Sequence, residues 1–510
     1  MTASALLDKV EELRLTAARQ LNPSRRIELG QFLTPAPIAR FMASMCEARR
    51  DSIRLLDAGA GAGSLTAAVI AEICAREHHP KKIYVCAYEL DRMLVGYLRE
   101  TMALCQELCT QVGIEFEADI EPVDFIQAAT GTLCAPLFEK AGRFDLAVLN
   151  PPYRKINTDS DIRRVLSSAG IETSNLYPAF VSLVVRLLAA GGELVAITPR
   201  SFCNGPYFRP FREDFLTRMA FQRLHVFESR NALFRDDDVL QENVIFHALR
   251  APASIDTVVL SGSSGPSDDP PSVRHVKPEE LVHPGDPELF IHIATDEANE
   301  QVAEWMAALR STLTDLELSV STGRVVDFRA ERFLRSYPQD GCAPLIHPCH
   351  FKDGLIAWPK LNGKKPNAIA ITPETRDALI PKGVYVLTKR FTAKEEPRRV
   401  VAALYDPTLL PDPLVGLENH LNYYHRGGGG LTMDLARGLV AYLNSTFVDS
   451  YFRQFNGHTQ VNATDLRNLK YPTKAELETC GSRIQCRFPP QAELDELVEG
   501  ILNGKLPHRL

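Results

Sequence analysis

Residues 54–64 read Arg54-Leu-Leu-Asp57-Ala-Gly59-Ala-Gly61-Ala-Gly63-Ser64. The apolar run into Asp57 is the pattern of a buried strand, and SLTAAVIAEICARE after Ser64 is helical. Between them, alternate glycines let the backbone turn tightly and approach a ligand with no Cβ in the way. A loop of this kind at the carboxyl edge of a parallel sheet is where nucleotide-like cofactors sit. Taken alone it serves a dinucleotide, S-adenosylmethionine or merely a tight turn.

Working outward, strand and helix alternate from about residue 50 to 250. KKIYVCAYEL, GIEFEADI, FDLAVLN and ELVAITP read as further strands. The segment SNLYPAFVSLVVRLLAAGG reads as a helix capped by Ser174 and closed by Gly191-Gly192. The fold class expected is α/β, a doubly wound, mostly parallel sheet. Pro, Ser, Gly and Asp crowd residues 252–271, which read as a boundary. After it come shorter strand-like runs, loops such as HRGGGG at 425–430, and a helical stretch, MDLARGLVAYLNSTFVDSYFRQF. The expected organisation is a domain over 1–250, a connecting segment over 251–310 and a mixed α+β domain over 311–510.

Chemistry is placed at the ends of the predicted strands. Glu89 ends the second, where a carboxylate accepts both hydroxyls of a ribose. Asp124 and Phe125 follow the third, suited to an adenine amino group and its ring, with Asp119 as a rival for Asp124. Asn150-Pro151-Pro152-Tyr153 ends the strand FDLAVL. Exocyclic amines of bases, and amides, are poor nucleophiles because the nitrogen lone pair is delocalised. The Asn150 side-chain oxygen and the Pro151 carbonyl can accept both amine hydrogens and aim the lone pair at an electrophilic methyl group, which is catalysis by positioning. The prolines fix that carbonyl by restricting φ, and Tyr153 can stack on a planar group. A base in a duplex reaches such a pocket only by flipping out. Read singly, each of these positions could be a turn or a core residue; their recurrence at successive strand ends favours a site.

The 510 residues exceed one ordinary core, and 45% hydrophobic with 24% charged residues is the composition of a soluble globular protein. No apolar run approaches a membrane span, and the first twenty residues read as an amphipathic helix rather than a leader. Eleven cysteines with no CxxC pair argue against zinc or a disulfide framework and fit a reducing cytoplasm; no metal is expected. The net charge of -7 does not advertise a nucleic-acid binder, but basic clusters occur at 360–365 and 389–399.

The pattern resembles the gamma-class adenine-N6 DNA methyltransferases of restriction-modification systems, over residues 28–250 and more loosely beyond. Gly30-Gln31-Phe32-Leu33-Thr34-Pro35 stands upstream of the glycine loop, with a large extra domain downstream, which is the gamma-class order. The resemblance implies a Rossmann-like S-adenosylmethionine-dependent domain. It assigns Thr34, Asp57, Gly59, Gly61, Glu89, Asp124, Phe125 and Asn150 to the cofactor, and Asn150, Pro151, Pro152 and Tyr153 to the target amine. Asn175-Leu176-Tyr177, Asn204-Gly205 with Tyr207, and Asn231–Phe234 running on to Asn243 are further matches, with Phe234 expected to stack on the flipped base. The C-terminal half is similar to target-recognition domains of PstI- and BsuBI-type methylases, through Ser321-Thr322-Gly323-Arg324-Val325, Asn444-Ser445-Thr446 and Gly457-His458-Thr459-Gln460-Val461-Asn462. It implies that Arg324, His458, Gln460 and Asn462 face DNA bases and that Lys389, Arg390 and Arg399 hold phosphates. Double-stranded DNA and a separate restriction endonuclease are the implied partners, in a prokaryotic cytoplasm. Asn-Pro-Pro-Tyr is also shared with enzymes that methylate the release-factor glutamine. Cytosine N4, RNA guanine N2 and a non-catalytic DNA-binding role are the other readings.

Overall fold

A computed structural model describes residues 1–22, 32–135, 143–227, 242–250, 255–263, 272–361, 363–392, 396–409, 413–457 and 459–502. The chain divides into two units, Met1–Thr295 and Asp296–Leu510.

The first unit is built on a sheet that has nine strands among the described residues: β1 (Ser52–Ala58), β2 (Lys82–Tyr88), β3 (Glu115–Glu121), β4 (Phe144–Leu149), β5 (Leu188–Pro199), β6 (Ala220–Phe227), β7 (Asn243–Leu249), β8 (Val258–Ser263) and β9 (Ser272–Val276). Their order is β3-β2-β1-β4-β5-β7-β6-β8-β9. The first five run parallel, whereas β7 is antiparallel to both β5 and β6. Winding reverses between β1 and β4, the switch point at which open α/β sheets bind ligands beyond their carboxyl ends. The strands read as continuous apolar runs because both faces are covered. Leu55, Val85, Leu146 and Val148 pack into one core cluster, and Leu56, Ala147 and Leu149 into another. The expected doubly wound α/β architecture is present.

Two local readings change. The helix predicted to reach Gly192 spans Leu176–Leu187, with Asn175 rather than Ser174 at its N-cap. Leu188 already pairs with Phe144, and the register then slips so that Leu146 meets Glu193. Gly191, at φ 70°, and Gly192 therefore lie in a bulge of β5 rather than capping a helix. Residues 251–310, read as a connecting segment, supply β8 and β9, which extend the sheet. Their alternating valines and leucine bury one face on the core. The N-terminal helix Ala3–Gln20 is present as read; it buries Leu6, Val10, Arg14 and Ala17, one stripe at helical spacing.

The second unit is mixed α+β. Among the described residues, a six-stranded sheet runs in the order 319–322, 421–425, 385–389, 402–405, 355–356, 351–352. A five-stranded sheet runs 334–335, 368–370, 342–346, 414–417, 379–381. The predicted long terminal helix is two, Met433–Leu443 and Thr446–Phe455, broken where Asn444 turns inward. Asn444 accepts from the Ala402 amide and donates to the Ala402 carbonyl, both at 2.9 Å, completing the strand 402–405.

Candidate active site

The glycine loop follows β1 directly. Gly59, Gly61 and Gly63 have φ of 84°, 59° and 87°, in the left-handed region that side chains disfavour. At Gly63 a Cβ would meet Thr101 Cγ2 at 2.8 Å and Leu98 Cδ1 at 2.9 Å, so the loop also needs glycine there for helix packing. The Gly59 and Ala60 amides donate to the Tyr88 carbonyl, and the Gly61 amide donates to Glu89 Oε2 at 2.9 Å. The Asp91 amide donates to Glu89 Oε1 at 2.7 Å. Two backbone donors thus hold the Glu89 carboxylate in place. Burial pushes it above the usual carboxylate range, while the Asp91 and Gly61 amides pull it back.

These groups line a cavity of about 210 Å³ at the carboxyl ends of β1, β2 and β4. Thr34, Gly59, Gly61, Glu89, Asp124, Phe125, Asn150 and Pro152 all face it. Asp124 caps the helix Phe125–Cys134 by accepting from the Gln127 amide through Oδ1 at 3.0 Å. The rival Asp119 lies elsewhere on β3, accepting from the Tyr84 hydroxyl at 2.7 Å. Phe125 is buried edge-on to Tyr88 and tilted against Phe180, both at 5.1 Å. Tyr88, Leu94, Arg154, Ile162, Leu176 and Phe180 also line the cavity, and the sequence reading did not single them out for it. Tyr88 ends β2, and the others come from helices and a loop whose facing is set by packing, so no local signal marks them.

Asp57 does not line the cavity. It is 0% exposed beneath the loop and accepts from Thr66 Oγ1 through Oδ2 at 2.6 Å. Oδ1 has no partner, and burial pushes the carboxyl up to about 7. Asp57 therefore acts on the loop from below, because a carboxylate inside β1 points into the core between the sheet and the helix Ser64–Cys74.

Asn150 sits at the other side of the cavity. Its Nδ2 donates to the Phe32 carbonyl at 2.9 Å and to Thr34 Oγ1 at 3.1 Å. A carbonyl can only accept, so this contact fixes which end of the amide is the nitrogen and turns Oδ1 the other way. Oδ1 accepts from the Tyr153 hydroxyl at 3.0 Å. Tyr153 is half-buried, tilted 40° to Phe32 at 6.0 Å and edge-on to Tyr177 at 6.3 Å. Burial raises its phenol, which stays protonated and able to donate. Pro151 is buried behind the loop. The segment after Tyr153 is pinned by the Leu176 amide donating to the Arg154 carbonyl and the Ile156 amide to the Ser174 carbonyl, both at 2.8 Å. The Asn175-Leu176-Tyr177 resemblance thus marks the clamp on this loop. Phe234 lies outside the described residues, as do Gly30 and Gln31.

The cavity fits the expected cofactor. It offers a carboxylate held open for a diol, a capping aspartate with one committed oxygen, an aromatic and aliphatic wall, and a glycine floor without Cβ atoms. A purine nucleoside with an extended polar tail matches that set of donors and surfaces.

The residues expected at DNA divide. Arg324 is exposed, donating to the Asp377 carbonyl at 3.1 Å. Lys389 and Arg390 are half-buried at the end of strand 385–389, and Arg390 donates to the Asn419 carbonyl at 2.9 Å. Arg399 is only 2% exposed, a correction to its expected phosphate role. Its guanidinium donates to the Thr392 carbonyl and to Asn456 Oδ1, and its amide donates to Asp449. A charge so committed braces the fold. Asn444 and Ser445 are likewise buried at the helix break. Gln460 is half-buried and its carbonyl accepts from Asn456; the Asn462 amide donates to Asp465 Oδ2 at 2.8 Å to begin the helix Ala463–Asn468. His458 lies outside the described residues.

Comparison with known proteins places this geometry among relatives. The Eco57I restriction-modification methylase family matches residues 104–234. The Type II methyltransferase M.PstI of Providencia stuartii is 41% identical over 97% of this chain and 96% of its own. The Type II methyltransferase M.BsuBI of Bacillus subtilis is 43% identical over 98% of each. A solved structure, the type IIG restriction endonuclease BpuSI, is 15% identical with a TM-score of 0.45, over 99% of this chain and 68% of that one.

Proposed function

The chain belongs to the type II restriction-modification methyltransferases, and from that premise we propose that it methylates N6 of adenine within a short sequence of double-stranded DNA. The observation that carries this reading is the Asn150 amide, held by the Phe32 carbonyl and Thr34 with its oxygen turned to the far side. An exocyclic amine has two hydrogens to give. Asn150 Oδ1 takes one, in place of the Tyr153 hydroxyl, and the Pro151 carbonyl takes the other. Both acceptors polarise the N–H bonds and direct the nitrogen lone pair along one line, with no strong base required.

S-adenosylmethionine is the cofactor this reading requires; when bound it supplies an electrophilic methyl on a sulfonium. Glu89 accepts the ribose hydroxyls, Asp124 the adenine amino group, and Phe125 with Phe180 supplies the wall for the purine. Thr34 stands between the two halves of the cavity. The target adenine is flipped from the duplex, and the Tyr153 ring stacks on it. Arg324, Lys389 and Arg390 contact DNA, and modification protects the site from a cognate endonuclease.

The test is incubation of the purified protein with methyl-labelled S-adenosylmethionine and unmodified bacterial DNA, followed by digestion to nucleosides. Label in N6-methyldeoxyadenosine is the expected result. Label in N4-methyldeoxycytidine would overturn the base assignment while keeping the positioning chemistry. No label in DNA, with cofactor bound, would overturn the substrate.

A further inference from the structure

Asp327, His347 and Glu418 meet within the second unit, although 91 residues separate the first from the last in the sequence. The fold brings them together by register. Strands 342–346 and 414–417 are parallel, with Leu345 opposite Gly416 and Ile346 opposite Leu417. His347 and Glu418 are the next residues on each strand and so emerge side by side. Val325 bridges to Glu418 in parallel, which sets Asp327 two residues further along a third, adjacent segment. Gly323 makes that approach feasible, since a Cβ there would fall 2.2 Å from the Glu418 carbonyl oxygen.

The polar atoms gathered there are incompletely satisfied. His347 is 1% exposed and neither of its ring nitrogens has a hydrogen-bond partner. Asp327 Oδ1 is also buried without one. The remaining oxygens are committed outward: Asp327 Oδ2 accepts from Lys365 Nζ at 2.8 Å, and Glu418 accepts from the His420 ring and, at 2.9 Å, from the His420 amide. A buried imidazole with two orphaned nitrogens between two carboxylates has lost its hydration without compensation unless something fills the gap. A second proton on the ring does not remove the deficit, because both carboxylates are about 4 Å away, beyond hydrogen-bond reach: 3.9 Å for Asp327 and 4.0 Å for Glu418.

We propose that Asp327, His347 and Glu418 form a divalent metal site. One donor atom from each lies within 4.8 Å of the other two. Donors about 2.1 Å from a tetrahedral ion stand about 3.4 Å apart. Asp327 approaches the His347 Nε2 and Glu418 the Nδ1, so the ion takes one ring nitrogen, and the donor atoms, within 4.8 Å of one another, close by up to about 1.4 Å around it. One imidazole and two carboxylates suit a borderline ion such as zinc or manganese better than calcium, which takes more oxygens. Two carboxylates against the single Lys365 cation leave net negative charge for the ion. Lys365 and His420 are the outer partners that orient ligating carboxylates. The scattered cysteines gave no reason to expect a metal, because this donor set contains none of them. The ion would staple three chain segments at one end of the five-stranded sheet, whatever reaction the first unit performs.

The test uses the full-length, tag-free protein stripped with chelator and titrated with zinc chloride and with manganese chloride. Calorimetry gives stoichiometry and affinity, elemental analysis after desalting gives retained metal, and melting temperature gives a second readout. One equivalent per chain, with a raised melting temperature, is expected. Asp327→Asn sits on a half-buried side chain and leaves the fold intact; it is expected to weaken binding at least tenfold and to abolish the thermal shift. His347→Gln is expected to do the same. Less than a tenth of an equivalent bound to folded protein, or unchanged affinity in folded Asp327→Asn, would overturn the site.

Discussion

Phe32 and Asn150 stand 118 residues apart in the chain and meet through one hydrogen bond, in which Asn150 Nδ2 donates to the Phe32 carbonyl at 2.9 Å. With Thr34 Oγ1 at 3.1 Å, it decides which way the amide faces. The segment upstream of the glycine loop thereby positions a side chain just past the end of β4.

Thr34→Val removes one of the two acceptors and keeps the volume. The expected result is a fall in kcat of about tenfold, a loss of about 1.4 kcal/mol in the transition state. Thr34→Ser, which restores the hydroxyl, should recover most of the rate. Single-turnover methyl transfer checks this, with cofactor affinity measured separately. A fall in cofactor affinity alone, at unchanged kcat, would confine Thr34 to cofactor binding.

Asn150→Ala removes the oxygen proposed to accept the amine hydrogen. Transfer should fall by roughly 10²–10³, the cost of losing one preorganised group at a reacting centre. Tyr153→Phe removes only the hydroxyl that engages Asn150 Oδ1 at 3.0 Å and keeps the ring, so the rate should stay within about tenfold. A Tyr153→Phe loss as deep as that of Asn150→Ala would give the hydroxyl a direct part in the reaction.

The buried Asp57 makes stability fall as pH rises. Its folded pKa of about 7 lies above the ordinary value of 3.8, so between these values the folded protein binds a proton that the unfolded chain has released. Its contribution is complete below about pH 4 and lost as pH rises to about 7, a span worth up to ~4 kcal/mol at 1.36 kcal/mol per unit. Asp57→Asn should remove this dependence. Urea unfolding of both proteins from pH 5 to pH 8 checks it: the variant's stability relative to wild type should increase from pH 5 to about pH 7 and level off above it.

The cationic side chains of the second unit should separate into two kinds. Arg399→Ala strips partners from Thr392 and Asn456 inside the fold and should cost ~3 kcal/mol, read as a lowered melting temperature. Arg324→Ala and Lys389→Ala should melt as wild type, weaken DNA binding and each reduce the slope of log affinity against log salt by about 1. Wild-type stability in Arg399→Ala would overturn the brace.

The sequence by itself determined the parts of this protein that depend on neighbours in the chain. Alternate glycines force left-handed φ values at Gly59, Gly61 and Gly63, and apolar runs between helices specify buried parallel strands. These local rules already put Glu89, Asp124 and Asn150 at strand ends facing one cavity. The tertiary structure alone decided which groups meet from afar. It turned Asp57 under the loop and joined Phe32 to Asn150. It drew Arg399 inside, although KRFTAKEEPRR reads as a basic cluster suited to phosphates. It set His347 beside Glu418 through the register of two parallel strands. Local propensity follows from φ, ψ and side-chain period within a few residues. Burial and register instead follow from how surfaces distant in the chain fill space against one another, and no short stretch of sequence carries that.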